Sequence, residues 1–257
     1  MIHTLLTAAD LHRSKALINE LKQAVALHRP MIVALVGDFL HAGDDTKGRL
    51  TVPECAQNFA ALDCSDVIFV RGNHEDDDWL AFAHEWKKSG RPLHALHGES
   101  FMHGALTIIG FPCLMGDGTA YIGDRQPLPI ESEVWLPHLI HPIGSAARAI
   151  WLMHEPPAGT RLSASGTVVE GNPDWIKAIE RFSPWLTISG HDHLTPIRTK
   201  FWHHQLGRTL CVNVGQTDHG PLRYCFIEAE FTNDTPSLPV RMSVTAFPLG
   251  ETITLPF

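Results

Sequence analysis

Five short polar clusters in this chain each follow an apolar run. Asp10 and His12 close "LLTAADLH", Asp38 closes "ALVGD", and Asn73, His74 and Glu75 close "FVRGNHE". His154 follows "WLM" in "WLMHEPP", and His191 and His193 close "TISGHDH". Ligand sites in α/β folds form in loops at the carboxyl ends of strands, where a rigid scaffold aims several loops at one point. Asp10, Asp38, Asn73, His12, His154, His191 and His193 would offer oxygen and imidazole nitrogen but no thiolate. That donor set suits Mn, Fe or Zn better than calcium. Seven side chains exceed the four of a structural zinc site. If one carboxylate bridges, the seven give each of two metal ions four protein ligands.

Each of these residues, taken alone, has an ordinary explanation. Asp10 suits a helix cap, Asp38 and Asn73 suit turns, and with 17 histidines in 257 residues a lone His match means little. Only the ordered set points to chemistry, and within it His154 rests on the shortest block. Arg13 and Arg71 stand beside the clusters; a phosphate contact and a surface or structural role are both open to them, and neither is counted among the catalytic residues. The further pairs in "HALHGESFMH" (94–103) and "PHLIHP" (137–142) are read as solvated or core histidines, not as a third metal site. Asp76, Asp77 and Asp78 suit the acidic first turn of a helix.

The elements that would carry these clusters are short Val-, Ile- and Leu-rich runs at 3–8, 31–36, 66–70, 106–110, 150–153, 185–189, 210–214, 224–230 and 240–247. Their length and their Gly, Pro or Asp borders predict buried strands. Helices are predicted over 14–28, capped by Ser14, over 77–88, and over 172–182, with Asn172 as cap and Pro173 in the first turn. The last fifty residues read as strand only. Two strand groups flanked by helices predict an α/β sandwich of mixed sheets, formed by one domain spanning 1–257. The Gly- and Pro-rich segment 112–149 reads as a long surface excursion and a candidate specificity wall.

In order and type, "DLH", "GD", "GNHE", "MHEPP" and "GHDH" resemble the five blocks of the calcineurin-like metallophosphoesterase superfamily. The resemblance implies a four-layer fold, a double β-sandwich flanked by helices. It also implies that Asp10, His12, Asp38 and His193 hold one metal while Asp38, Asn73, His154 and His191 hold the other, with Asp38 as the bridge. The activity implied is phosphoester hydrolysis by a metal-bound hydroxide, with two divalent or mixed-valence ions clamping the reacting oxygens. His74, the imidazole left over, would protonate the leaving alkoxide, and Glu75 would support its loop.

"RGNHE" is similar to serine/threonine protein phosphatases, but their second block, G-D-x-V-D-R-G, is "GDFLHAG" here. The spacing between Asn73 and His154 is closer to small bacterial phosphodiesterase-like members. The formal net charge of −8 gives no basic stripe for a long polyanion, so a small phosphodiester or nucleotide-type substrate is expected rather than a nucleic-acid polymer. A phosphomonoesterase is the alternative within the class. Outside it stands a non-enzymatic interaction protein that binds metal on the same fold. Five scattered cysteines without a CxxC pair argue against a disulfide framework or zinc ribbon. The N-terminus has neither a basic leader nor a long apolar run, and the expectation is a cytoplasmic protein without membrane contact. Oligomeric state is not legible.

Overall fold

The computed structural model describes residues 1–40, 47–75, 78–111, 148–163, 171–217, 220–232, 238–255 and 257, and the backbone of short strands at 114–115, 119–122, 126–129, 164–165 and 168–169. All nine predicted runs form strands, and they assemble into two mixed sheets. In the first, β1 (Ile2–Ala8), β2 (Ile32–Val36), β3 (Asp66–Val70) and β4 (His94–Ala95) run parallel. In the second, β5 (Glu99–His103) pairs antiparallel with β6 (Leu106–Phe111).

Two small sheets follow: β7 (Leu114–Met115), β8 (Thr119–Ile122) and β9 (Gln126–Pro129) form one, and β11 (Ala164–Ser165) and β12 (Val168–Val169) form the other. Between them in the chain, β10 (Ile150–Met153) joins the second large sheet, as do β13 (Leu186–Ser189), β14 (His203–Leu206) and β15 (Thr209–Asn213). Its order is β14-β15-β13-β10-β6-β5. The chain then returns to the first sheet, where β16 (Tyr224–Phe231) lies antiparallel to β1 and is followed by β17 (Pro239–Phe247) and β18 (Glu251–Leu255).

The central strands β2, β3, β6, β10, β13 and β15 are apolar on both sides because both sides are covered. Leu5, Ile32, Ala34, Ile68 and Val70 meet Ile108, Ile150, Leu152 and Ile188 between the sheets. The alternate residues Leu6, Val33, Leu35 and Phe69 face helices α1 (Lys15–His28), α2 (Val52–Ala60) and α3 (Trp79–Lys87) through Leu17, Leu21, Phe59, Phe82 and Trp86. On the far side Ile109, Phe111 and Trp151 pack against Trp175 and Ile179 of α4 (Pro173–Phe182). The layer order is therefore helix, sheet, sheet, helix. Each fully buried Leu, Ile or Phe side chain contributes about 1.5–3 kcal/mol of hydrophobic stabilisation.

Ser14 and Asn172 cap α1 and α4 as predicted, accepting from the Leu17 and Asp174 amides. Helix α2 was not predicted, although Thr51 and Glu54 form a capping box before it and Pro53 sits in its first turn. The edge strands β4, β5, β14 and β18 were also missed, since half-exposed sequences such as "HHQL" and "ETITL" carry no apolar run. The expected 112–149 excursion falls mostly outside the described residues, but its strands β7, β8 and β9 show that it is not purely loop. Among the described residues no helix is long and apolar enough to cross a membrane.

Candidate metal centre

Strands β1, β2 and β3 are neighbours in one sheet and β10, β13 and β15 in the other, and each trio is parallel. Their carboxyl ends consequently lie along one edge of the sandwich. Past the strands the β1 and β2 loops stay zipped: the Asp10, His12 and Arg13 amides donate to the Gly37, Asp38 and Phe39 carbonyls at 2.9–3.0 Å. Side chains then stitch the two sheets together. His154 Nδ1–H donates to the Val36 carbonyl at 2.9 Å, and the His191 amide donates to both oxygens of Asp10 at 3.1 Å.

All eight residues singled out in the sequence meet at this edge. Asp10, His12 and His193 form one group of donor atoms mutually within 4.8 Å, and Asp38, His154 and His191 form a second. In the first group His193 Nε2 lies 3.4 Å from Asp10 Oδ1 and 3.5 Å from His12 Nε2. In the second, His154 Nε2 lies 3.2 Å from Asp38 Oδ2. Asn73 Oδ1 joins that group, 3.2 Å from His154 Nε2 and 3.1 Å from His191 Nδ1. His74 is the exposed member of the eight, with its side chain 44% accessible and Nε2 4.0 Å from Asp38 Oδ2.

Hydrogen-bond chemistry at His154 tests whether cations fit here. A carbonyl oxygen only accepts, so the bond to Val36 puts the ring proton on Nδ1 and leaves a lone pair on Nε2. That lone pair faces two oxygens, Asp38 Oδ2 and Asn73 Oδ1, which is repulsive unless positive charge lies among the three. A proton or a metal ion would satisfy them. In the protein alone the proton does so: burial works against the imidazolium, but the Asp38 carboxylate outweighs it and raises His154 to about 10. Asp38 itself, despite burial, is held well below the usual carboxylate range by His154. Burial and the His154 charge push His191 down to about 4, so its ring is a neutral lone-pair donor. His193 shifts the other way, since its hydrogen bond to Asp10 overcomes the effect of burial. The donor set fits a pair of divalent cations, which would displace these protons on binding.

The backbone is bent to bring the donors together. Eight described non-glycine residues have positive φ, among them Asp10 (54°), His12 (45°), Asp38 (51°) and His191 (63°), with Arg13 (56°) beside them. The remaining three, Arg29, Ser183 and Lys200, are helix C-caps, where a left-handed residue is ordinary. At the site the same conformation costs about 1–3 kcal/mol per residue and persists because the surrounding sheets over-determine it. Two glycines make the approach possible. A Cβ on Gly37 would overlap the His154 ring, and one on Gly72 would overlap the Asp38 carboxylate.

Glu75 lies under the site and supports its loop as expected. Its carboxylate accepts the amides of Asp38 at 3.0 Å, Leu40 at 3.1 Å and Gly72 at 2.5 Å, tying the β2 loop to the β3 loop. Burial and the Asp38 charge push its pKa up to about 7, against three N–H donors that favour the ionised form. Two further supports went unnoticed in the sequence. Asn213 Nδ2 donates to the carbonyls of Leu162 at 3.0 Å and Asp192 at 3.3 Å, and Gln216 Nε2 donates to the Ala9 carbonyl at 2.9 Å. Asn213 is the last residue of β15 and Gln216 follows it, so the strand-end rule would have found Gln216, while Asn213 is hidden inside the apolar run. Arg13 turns to Asp78 at 3.7 Å, and the Arg71 guanidinium lies 5.8 Å from the centre of the Trp79 ring.

Comparison with solved structures shows the same architecture elsewhere. The chain aligns over 99% of its length with 99% of a dimetal phosphatase from Danio rerio, at 14% identity and a TM-score of 0.61. All of it aligns with 54% of a purple acid phosphatase from yellow lupin (Lupinus luteus) seeds, at 13% identity and a TM-score of 0.61, so it spans about half of that protein. All of it also aligns with 89% of GAP50, the anchor in the inner membrane complex of Plasmodium, at 13% identity and a TM-score of 0.54. At such identities these likenesses show the fold. A comparison with curated protein sequences gives no match. A family model, however, covers residues 3–194 and spans every donor from Asp10 to His193. The chain belongs to the calcineurin-like phosphoesterase family and is a metal-dependent phosphoric ester hydrolase.

Proposed function

We propose that this hydrolase acts on a small phosphodiester or nucleotide-type ester, in one catalytic domain spanning residues 1–257. The observation that carries the reading is the pair of donor groups, Asp10–His12–His193 and Asp38–His154–His191, joined through the His191 amide and the Asp10 carboxylate. Asp10, His12, Asp38 and His193 would hold one cation and Asp38, Asn73, His154 and His191 the other. Mn, Fe and Zn all suit these ligands. When bound, such ions supply an acidified water and neutralise charge on the phosphoryl oxygens.

The chain's own residues do the rest. His154 is oriented by the Val36 carbonyl, and Asp38 by the His74 amide on its Oδ1 at 3.1 Å. His74 stands at the mouth and passes a proton from its ring to the departing alkoxide oxygen. The preference for a diester is supported by the two neighbouring arginines, both turned to other partners. A monoester dianion calls for more fixed positive charge than a diester monoanion does. The single-domain reading is supported by β16, which returns from the far end of the chain to pair with β1. A cytoplasmic setting is supported by Cys55, Cys64, Cys211 and Cys225, all free thiols.

The test is hydrolysis of a chromogenic phosphodiester and its matching monoester by metal-stripped protein reloaded with Mn²⁺, with Asp38→Asn as the blank. Faster cleavage of the diester is expected. Faster cleavage of the monoester would replace the substrate preference by a phosphomonoesterase, and cleavage of neither would count against both substrate readings.

A further inference from the structure

We propose that Phe201 and Arg161 form a recognition wall for the organic group of the ester, and that the group they select is a flat ring of nucleobase type. The inference rests on the small-phosphodiester or nucleotide reading and names the part of the substrate that the metal groups do not touch.

Position comes first. Leu194 directly follows His193 and is 39% exposed. The short helix α5 (Thr195–Thr199) comes next, and Lys200, at φ 64°, turns the chain into Phe201. The Phe201 ring is 43% exposed, yet its backbone is fixed on both sides. Its amide donates to Thr199 Oγ1 at 3.2 Å, and the next residue, Trp202, is buried with Nε1 donating to Glu251 at 2.7 Å. The ring is thus held outward by anchored neighbours.

Arg161 comes from a different loop, the one after β10. Its guanidinium lies over the Phe201 ring at 4.5 Å from the centroid, well within cation–π range. The next residue, Leu162, is fully buried, and its carbonyl accepts from Asn213 Nδ2. That same nitrogen donates to the carbonyl of Asp192, the residue between His191 and His193. One amide group therefore ties the Arg161 loop to the turn that delivers two of the metal donors.

A lone exposed aromatic is ordinary on a protein surface. This one carries a guanidinium and follows His193 by eight residues in the chain, with the exposed Leu194 at the start of the same connection. A flat ring stacked on Phe201 would shed apolar surface from water, while the planar Arg161 fork offers N–H donors to ring carbonyls and a cation to the ester anion. Stacking of a base on an aromatic side chain is worth roughly tenfold or more in binding when the side chain is cut to alanine.

The experiment compares thymidine 5′-p-nitrophenyl phosphate with methyl p-nitrophenyl phosphate, which share a leaving group and differ in the retained one. In Mn²⁺-loaded wild type the ratio of kcat/KM values is expected to favour the thymidine ester by about tenfold or more. Phe201→Leu, Phe201→Ala and Arg161→Ala should bring the ratio towards one, and Phe201→Trp should keep it. A ratio near one in wild type, or one unmoved by these substitutions, overturns the proposal. If wild type cleaves neither ester, the phosphodiester reading fails, and equilibrium binding decides the wall separately. Thymidine monophosphate binding more tightly than inorganic phosphate, with the difference lost in Phe201→Ala, upholds the wall; equal binding of the two overturns it.

Discussion

The sandwich has a histidine-and-aspartate cluster at each end, and the two behave differently. At the carboxyl ends of the parallel strands, donors from five loops converge into two compact groups. At the opposite end Asp66, at the start of β3, splits its oxygens between His94 Nε2 at 3.2 Å and His103 Nδ1 at 3.4 Å. His3 stands edge-on to His103, with both ring nitrogens buried and lacking a hydrogen-bond partner among the described residues. The residue types match those of the metal centre, yet the residues of this second end do not form a convergent donor group among the described residues.

Backbone geometry separates the two ends. His3, Asp66, His94 and His103 all lie on strands, of which only β3 and β4 are neighbours; β1 lies two places from β3, and β5 belongs to the other sheet, so regular strand geometry fixes where each side chain stands. Asp10, His12, Asp38 and His191 lie just past strand ends on left-handed backbone, which lets chains from two sheets turn toward a common point. Residue type gives a cluster its donors, but only the loops give it convergence.

Three substitutions would break or sharpen that contrast, beginning with the one expected to do most. Changing an outer-shell partner of a metal ligand typically costs 10–100-fold, so Asp38→Asn, a change in a proposed shared ligand, should lower kcat/KM by more than about a hundredfold and metal content with it. Activity assay and elemental analysis on the same preparation would check both; full metal content with intact turnover would remove Asp38 from the centre. His74→Ala should instead keep the metal and lose about 10²–10⁴-fold in turnover, the usual worth of a positioned general acid. Full activity of that variant would end the acid role. At the other end Asp66→Asn should leave activity and metal content as they were. Its ion pairs are partly exposed, so denaturant unfolding should shift by no more than about 1 kcal/mol.

The same contrast explains what could be read from sequence. Seven of the nine strands were legible because burial on both faces writes an apolar run, as in "MIVALV" or "IWLM", whereas β16 and β17 alternate buried with exposed residues and were legible from that mixed pattern. The seven donors and His74 were legible because each block stands directly after such a run. Edge strands left no such mark: "HHQL" is half in water and reads as loop. Glu75 was seen as a loop support, but its three backbone partners come from residues 38, 40 and 72 and depend on tertiary closure. Phe201 and Arg161 are forty positions apart and have meaning only once α5 and the loop after β10 lie together. Gly37 read as strand punctuation, whereas its bare α-carbon is what admits the His154 ring.

The pairing of β1 with β16 also has a consequence for synthesis on the ribosome. The strand that leads into Asp10 and His12 is synthesised long before its antiparallel partner, and the Ala9 carbonyl is held by a glutamine 207 positions later. Until that segment arrives, β1 has one unpaired edge, and the nascent chain lacks the full clamp beside Asp10 and His12. Assembly of this edge of the sandwich therefore waits on a segment made long after the first of its residues.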